Sequence, residues 1–380
     1  MKITDIETII LMSPFAYGMD SGAEESHGPR YSCILKVHTD AGISGLADID
    51  SHPHVMAALM DAPVLIDFLS RGLRDILIGE NPLETDRLWW KMYNSGFYHG
   101  RRGALIHLLS GLDIALWDIK GKAMGVPVCV ALGARNRERV TAYASTLVRG
   151  TPGQMKQAVV KYRELGYRAV KFGWGTFTAD PAKGVALFRA ARQEAGDDMV
   201  LMCDGYITKN DVKFAAKIIR HLEELNIFWV EEPLPSDNLA GFKALGAQVG
   251  ARIATGEQLG TRYEYDQLLR DASPDIVQFD ISRCGGLSEA RQIVHMAEMA
   301  GKAFCPHAWT SDILTAASLH LNAWAQDCLF QEFCVNDSPI CRDLCLSPMA
   351  LSSDGTLDVP AGPGLGVELN ESVIAKYRIN

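Results

Sequence analysis

The chain has 380 residues, 48% of them hydrophobic and 22% charged, with 34 Gly and 16 Pro, a make-up that excludes disordered and collagen-like classes. The length is more than one core usually serves and predicts one large domain with one smaller one. A formal charge of -9, with no block of Lys and Arg, argues against nucleic acid as a partner.

The N-terminal stretch MKITDIETIILMSPF carries acids at Asp5 and Glu7 and no small-residue cleavage site, so it reads as a strand rather than a signal peptide. No run approaches 18 uninterrupted apolar residues, which argues against a membrane partner. Residues 1 to about 60 predict a small antiparallel sheet made of KITDIETIIL, YSCILKVHTD, a turn at Asp40-Ala41-Gly42, and ISGLADID. Between the first two, Ser13 to Arg30 is too long for a hairpin turn and is expected to be a lid. From about 84 to 124 the pattern is helical. Leu105, Leu108, Leu109, Leu112, Leu116 and Ile119 recur at three- and four-residue steps, and Gly125 with Pro127 stops the run.

After Gly133 short apolar runs alternate with helix-length segments. The runs are 140–146, 167–173, 199–205, 227–233, 252–257, 275–280, 302–307 and 329–333. Eight strands each followed by a helix predict a closed α/β barrel rather than an open doubly wound sheet, and no Gly-rich phosphate turn follows any of them. The Pro/Gly-rich tail is expected to return to the N-terminal sheet. Nine scattered cysteines without a CxxC pair predict reduced thiols in a cytoplasm, with neither disulfide nor zinc.

The last polar residues of these runs are Lys171, Asp204, Glu231, Glu257, Asp280, His307 and Glu332. From Asp204 onward they stand 23 to 27 residues apart, one βα repeat each time. That spacing places them on one rim, the C-terminal rim where barrel sites form. So many ionisable groups at one mouth repel and desolvate each other unless a cation and a ligand compensate. Asp204, Glu231 and Glu257 come from consecutive strands and offer hard oxygen donors, which favours Mg²⁺, accepts Mn²⁺ and disfavours Zn²⁺. Glu232, next to Glu231, is expected to point the other way. Asp280 and His307 end neighbouring strands, so the carboxylate is expected to fix the imidazole tautomer and raise its basicity. Lys171 reads equally as a second substrate-facing group or as a charge partner for the acidic rim. Glu332 reads either as a protonated donor to a developing oxyanion or as a satisfied carboxylate. Trp174 and Trp309 read as walls.

These residues and the segments GLDIALWDIKGKAMGVPV (111–128), CDGY, WVEEP, GEQ, DISRCGGLSEA (280–290), CPHAW (305–309) and GPGLGVELN resemble the enolase superfamily, and within it the mandelate racemase/muconate lactonizing branch, over nearly the whole chain. The resemblance implies a modified TIM-type (β/α)₇β barrel under an α+β cap. The expected division is 1–130 cap, 131–345 barrel and 346–380 a segment returning to the cap. It implies Mg²⁺ on Asp204, Glu231 and Glu257, an Asp280–His307 dyad, Glu332 supporting an enolate oxygen, and loops near His27 and Asp50 to His54 closing over substrate. It also implies a homo-oligomer.

Two departures bear on activity. Relatives with two bases carry Lys-x-Lys at the end of the second barrel strand, whereas this chain has Lys171-Phe172-Gly173. Tyr206 stands where Asn is commoner and is a candidate extra acid or substrate contact. The chemistry the resemblance implies is removal of the proton alpha to a carboxylate, and with one acid/base the expected course is loss of the beta hydroxyl, the reaction of an acid-sugar dehydratase. An epimerase or lactone cycloisomerase is the alternative within the superfamily. A barrel hydrolase is disfavoured because no early strand ends in His, and a non-enzymatic binding protein because the metal and base positions are intact.

Overall fold

The computed structural model describes residues 1–16 (side chains to 13), 29–66, 69–174, 177, 179–205 and 210–380. His27, Tyr206 and most of the expected lid lie outside the described residues. The ends of that stretch belong to strands, because β1 (Ile3–Ala16) and β2 (Pro29–Thr39) run antiparallel and β3 (Ser44–Ile49) follows on β2.

Helix Ala104–Met124 lies across this sheet. Leu105, Leu108, Leu109, Leu112, Leu116 and Ile119 are all fully buried, and each such leucine contributes roughly 2 kcal/mol by leaving water. The approach is close: a Cβ at Gly111 would stand 2.5 Å from Ile49, and one at Gly45 would collide with the carbonyl oxygen of Ala115. The helix ends at Gly125, in the left-handed conformation that suits glycine. Two buried aspartates of the helix act as pins. Asp113 accepts from the Ser288 N–H at 2.8 Å and its hydroxyl at 2.6 Å, while Asp118 accepts from the backbone N–H groups of Leu46 at 2.9 Å and Leu365 at 2.7 Å. One helix thus ties the N-terminal sheet, the barrel and the tail together.

All eight expected barrel strands are present: β4 (Arg139–Leu147), β5 (Ala169–Gly173), β6 (Val200–Asp204), β7 (Ile227–Glu231), β8 (Arg252–Thr255), β9 (Ile276–Val277), β10 (Ala303–Phe304) and β11 (Gln331–Cys334). They pair in parallel in the order β10-β9-β8-β7-β6-β5-β4-β11, with a helical segment in each of the seven connections, so the fold is the modified (β/α)₇β barrel under an N-terminal α+β cap. β10 and β11 meet across the remaining seam, where the Ala308 N–H donates to Glu332 Oε2 at 2.7 Å and Cys305 Sγ to the Phe330 carbonyl at 3.4 Å. The tail first adds β12 (Thr356–Asp358) antiparallel to β4. It then reaches β1, where the Asn380 side chain accepts from Ile10 N and donates to Thr8 O. Among the described residues no helix is long and apolar enough to cross a membrane.

Inside the barrel the side chains form layers. Tyr143, Ala169, Met202, Trp229, Ala254, Ile276 and Cys305 make a separate buried apolar cluster, the floor of the barrel. Strand alternation places the next inward residues above it: Ser145, Lys171, Asp204, Glu231, Gln278, Asp280, His307 and Glu332. The floor is dry and the storey above it is polar.

His320, on helix Asp312–Trp324, is fully buried between the Cys129 N–H, 3.4 Å from Nδ1, and the Leu365 carbonyl, which accepts from Nε2 at 3.1 Å. Burial pulls its pKa from the ordinary 6.5 down to about 4. The unfolded chain therefore takes up a proton first as the pH falls, and stability is lost between 6.5 and about 4. The loss is about 3 kcal/mol in size. Melting temperatures from pH 7 to pH 4 are expected to fall less steeply in His320→Gln than in the unmodified chain.

Candidate active site

Strand register decides which rim side chains become neighbours. Asp204 of β6 pairs with Glu231 of β7, Ser145 of β4 with Lys171 of β5, and Asp280 with His307 through a parallel bridge past the short ladders of β9 and β10. Paired residues in a parallel ladder project to the same side. The dyad geometry follows: His307 Nδ1 lies 2.7 Å from Asp280 Oδ2. An ionised carboxylate can only accept, so the imidazole donates from Nδ1 and its Nε2 is the atom left for chemistry. Nε2 stands 3.6 Å from Glu257 Oε2. Burial draws the His307 pKa down, but Glu257, Glu332 and the Asp280 hydrogen bond outweigh it and lift it to about 10.

Lys171 is aligned with Met202, two residues before Asp204 on β6, and reaches up from beneath. Its ammonium, buried with the rest of the side chain, sits 2.5 Å from Glu231 Oε1, 2.8 Å from Glu332 Oε1 and 3.7 Å from Asp204 Oδ2. Burial opposes its charge, yet Glu231, Glu332 and Asp204 hold the pKa well above the usual lysine range. This is the geometry of a counter-ion, not of a proton acceptor. Glu332 also accepts from Ser145 Oγ at 2.6 Å and from the Ala308 N–H at 2.7 Å. Burial would raise its pKa, but Lys171 and His307 bring it to about 2. Of the two readings of Glu332, these contacts with Ser145, Ala308 and Lys171 are those of a satisfied carboxylate.

Glu231 has no exposed surface. Its Oε2 accepts from Trp229 Nε1 at 3.0 Å and Gln278 Nε2 at 2.9 Å. Burial and the neighbouring Glu231 charge push Asp204 well above the usual carboxylate range, while burial raises Glu231 against the pull of Lys171. Glu232 turns away, as expected. A left-handed backbone (φ 46°) carries it toward β8, where Oε1 accepts from Thr255 Oγ1 at 2.7 Å and the Gly256 N–H at 2.9 Å.

A cavity of about 270 Å³ opens over these groups, lined by Asp50, Thr146, Leu147, Lys171, Gly173, Trp174, Asp204, Glu257, Arg283, His307 and Trp309. Among the described residues the one trio of potential ligand atoms all within 4.8 Å of one another belongs to Asp50, Asp280 and His307. That trio is already satisfied, since Asp50 holds Arg283 Nη2 at 2.6 Å and Asp280 holds His307. Asp204, Glu231 and Glu257 are not drawn so close, and the Lys171 ammonium occupies the space beside two of them. Their donor set is nonetheless all carboxylate oxygen, and acids outnumber fixed cations around the cavity, which suits a hard divalent ion.

Residues 13–133 match the mandelate racemase/muconate lactonizing enzyme N-terminal domain, and residues 154–373 match the enolase C-terminal domain-like family. The chain belongs to the mandelate racemase/muconate lactonizing enzyme family of the enolase superfamily. It is 30% identical over 367 residues to a D-galactonate dehydratase of Pectobacterium atrosepticum, covering 93% of this chain and 92% of the relative. It is 29% identical over 394 residues to a D-galactarolactone cycloisomerase of Agrobacterium fabrum, covering 100% and 99%. The 3,6-anhydro-D-galactonate cycloisomerase of Zobellia galactanivorans superposes over 100% of both chains with a TM-score of 0.88 at 27% identity. The chain is thus an enzyme of this superfamily.

The departure of this member from Lys-x-Lys has a visible consequence. Gly173 continues the register that pairs Phe172 with Cys203, which sets it beside Asp204, and a Cβ there would lie 2.7 Å from Asp204 Oδ2. The space of a second side chain is taken by the carboxylate. Trp174 follows with φ 57°, uncommon for a bulky residue, and lines the cavity together with Trp309. Sequence reasoning missed Arg283, Ser282, Gln278 and Ser145 as parts of the site. Arg283 and Ser282 stood inside the quoted run DISRCGGLSEA; Gln278 and Ser145 carried the inward period of their strands.

Proposed function

We propose that the protein dehydrates an acid sugar to a 2-keto-3-deoxy acid, with Asp204, Glu231 and Glu257 holding Mg²⁺ and His307 serving as the only acid/base. The observation that carries this reading is that one cavity is lined both by His307, paired with buried Asp280 at 2.7 Å, and by a glycine, Gly173, on the strand where a second base would stand. When bound, the cation would stabilise the negative charge that grows on the substrate carboxylate. His307 Nε2 takes the alpha proton, leaving an enediolate, while Asp280 accepts the Nδ1 hydrogen bond and steadies the imidazolium. The same Nε2 then gives its proton to the beta hydroxyl, which leaves as water, and the enol product tautomerises to the ketone. Lys171 and Glu332 keep the acid cluster compact, and Trp174 and Trp309 wall the substrate from water. The names of the galactonate dehydratase and galactarolactone cycloisomerase relatives point to a galactose-derived acid.

The test is a panel of D-galactonate, D-galactarolactone, 3,6-anhydro-D-galactonate and other mono- and diacid sugars with Mg²⁺ in deuterated water. Formation of a 2-keto-3-deoxy acid with loss of one water from one of the open-chain acids is expected. A product isomeric with the lactone or the anhydro acid, formed by ring opening without loss of water, would move the assignment to the cycloisomerase reading that two relatives favour, even where that isomer is a keto acid. Absence of both alpha-deuterium and product across the panel would sink it.

A further inference from the structure

The capping sheet reaches the dyad through two aspartates spaced two residues apart. β3 ends in Asp48-Ile49, with Asp50 directly after it. Strand alternation sends Asp48 and Asp50 to one side and Ile49 to the other, against Gly111 of the long helix. Asp48 has no exposed surface. Its Oδ1 accepts from Ser32 Oγ at 2.8 Å, and its Oδ2 accepts from the Ser311 hydroxyl at 2.7 Å and N–H at 3.1 Å. Ser311 lies four residues past His307 and caps helix Asp312–Trp324.

Asp50 grips the other loop. Its Oδ2 accepts from Arg283 Nη2 at 2.6 Å and its carbonyl from Arg283 Nε at 2.9 Å, while its own N–H donates to Ser282 Oγ at 3.0 Å. Ser282 passes the contact on, donating both its hydroxyl and its N–H to Asp280 Oδ1 at 2.7 Å. A hydroxyl that accepts from one side and donates to the other has its orientation fixed. With Oδ1 filled twice, the Asp280 carboxylate cannot rotate, and Oδ2 is left facing His307.

We infer that Asp48 and Asp50 are positioning residues: through Ser311 and through Ser282 and Arg283 they set the loops of His307 and Asp280, so the dyad is assembled by the cap and not by the barrel alone. The inference deepens the proposed function and rests on it for the role of the dyad. It asks for no contact between Asp48 and substrate. Misplacement of a reacting group by about 1 Å costs on the order of 100-fold in rate, so the effect belongs in kcat.

The test uses the full chain in two arms. In the first, proton NMR of substrate-free protein follows the hydrogen-bonded Nδ1 proton of His307, assigned by its loss in His307→Asn. That proton is expected in the unmodified chain and in Ser282→Thr, and is expected to be lost or broadened in Asp50→Ala and Ser282→Ala at unchanged circular dichroism. In the second, kcat on the best acid of the panel is expected to fall about 100-fold in Ser282→Ala, with KM changed less than about threefold and with recovery in Ser282→Thr. Asp48→Asn, which keeps the shape but weakens acceptance from Ser311, is expected to lower kcat in the same sense. Should Asp50→Ala not fold, Ser282→Ala carries the test. A proton signal missing from the unmodified chain, or one indifferent to Ser282→Ala, overturns the inference. The first arm needs no turnover, so a chain inactive on every acid would defeat the proposed function while leaving the positioning question answered.

Discussion

His307→Asn is expected to lower turnover by about 10⁴-fold, the upper end of what one acid/base group supplies, and to abolish exchange of the alpha proton with deuterated water. The upper end applies because in the proposed dehydration one nitrogen works twice, as base at the alpha carbon and as acid at the beta hydroxyl. Asn leaves the scaffold intact, since its amide can still donate to Asp280 Oδ2, the atom now 2.7 Å from Nδ1, and so does not strand a buried carboxylate. What it removes is the proton acceptor at the Nε2 position. NMR of the substrate in deuterated water reads the first step and a keto-acid assay the whole reaction. Exchange that persists without product would mean another residue serves as base, and full turnover would remove His307 from the chemistry. Lys171 is no substitute, because three carboxylates surround its ammonium within 3.7 Å.

The parts of this molecule written in local pattern were legible beforehand. The helix of Leu105 to Ile119 repeats at the spacing of its buried stripe, and each of the eight apolar runs became a strand because burial on both faces of a parallel sheet demands such runs. The rim candidates were legible as a pattern too, since from Asp204 onward one polar residue recurs every 23 to 27 residues, one βα repeat each time. Register was not. Whether Lys171 stood level with Asp204 or one layer beneath it depends on the pairing of Lys171 with Met202, which no single strand encodes, and that offset separates a substrate-facing lysine from a buried counter-ion. The contacts between cap and barrel were equally hidden. Asp50 and Ser282 are 232 residues apart, and no periodicity links them. Asp113 and Asp118 were visible as a motif, but the partners that explain them, Ser288 and Leu365, lie on other elements.

Removal of divalent cations is expected to abolish turnover and to lower the melting temperature, with Mg²⁺ restoring both and Mn²⁺ substituting. The reason lies in the charge around Lys171. Asp204, Glu231 and Glu332 face one ammonium, with Glu257 nearby on the cavity wall, so the metal-free cluster keeps its charge only against burial and mutual repulsion. A ligand that binds the folded chain alone adds stability as its concentration rises, about 2.7 kcal/mol at a hundred times its Kd. Because Asp204 and Glu231 must give up protons that burial favours, Mg²⁺ affinity is expected to rise with pH. Neutralising Glu257 would also take away the first of the influences that lift His307 to about 10, so the imidazole is expected to titrate lower in the Mg²⁺ form, where a neutral base is needed. Lys171→Met separates the two cations. Loss of one partner from a buried charge network costs about 3–5 kcal/mol, and the variant is expected to be far less stable than the unmodified chain in chelator and to recover a large part of the difference in Mg²⁺. A variant whose melting temperature ignores Mg²⁺, in a chain that turns over substrate in chelator, would make Asp204, Glu231 and Glu257 a structural ion network and leave the substrate carboxylate to be held by Arg283 on the cavity wall.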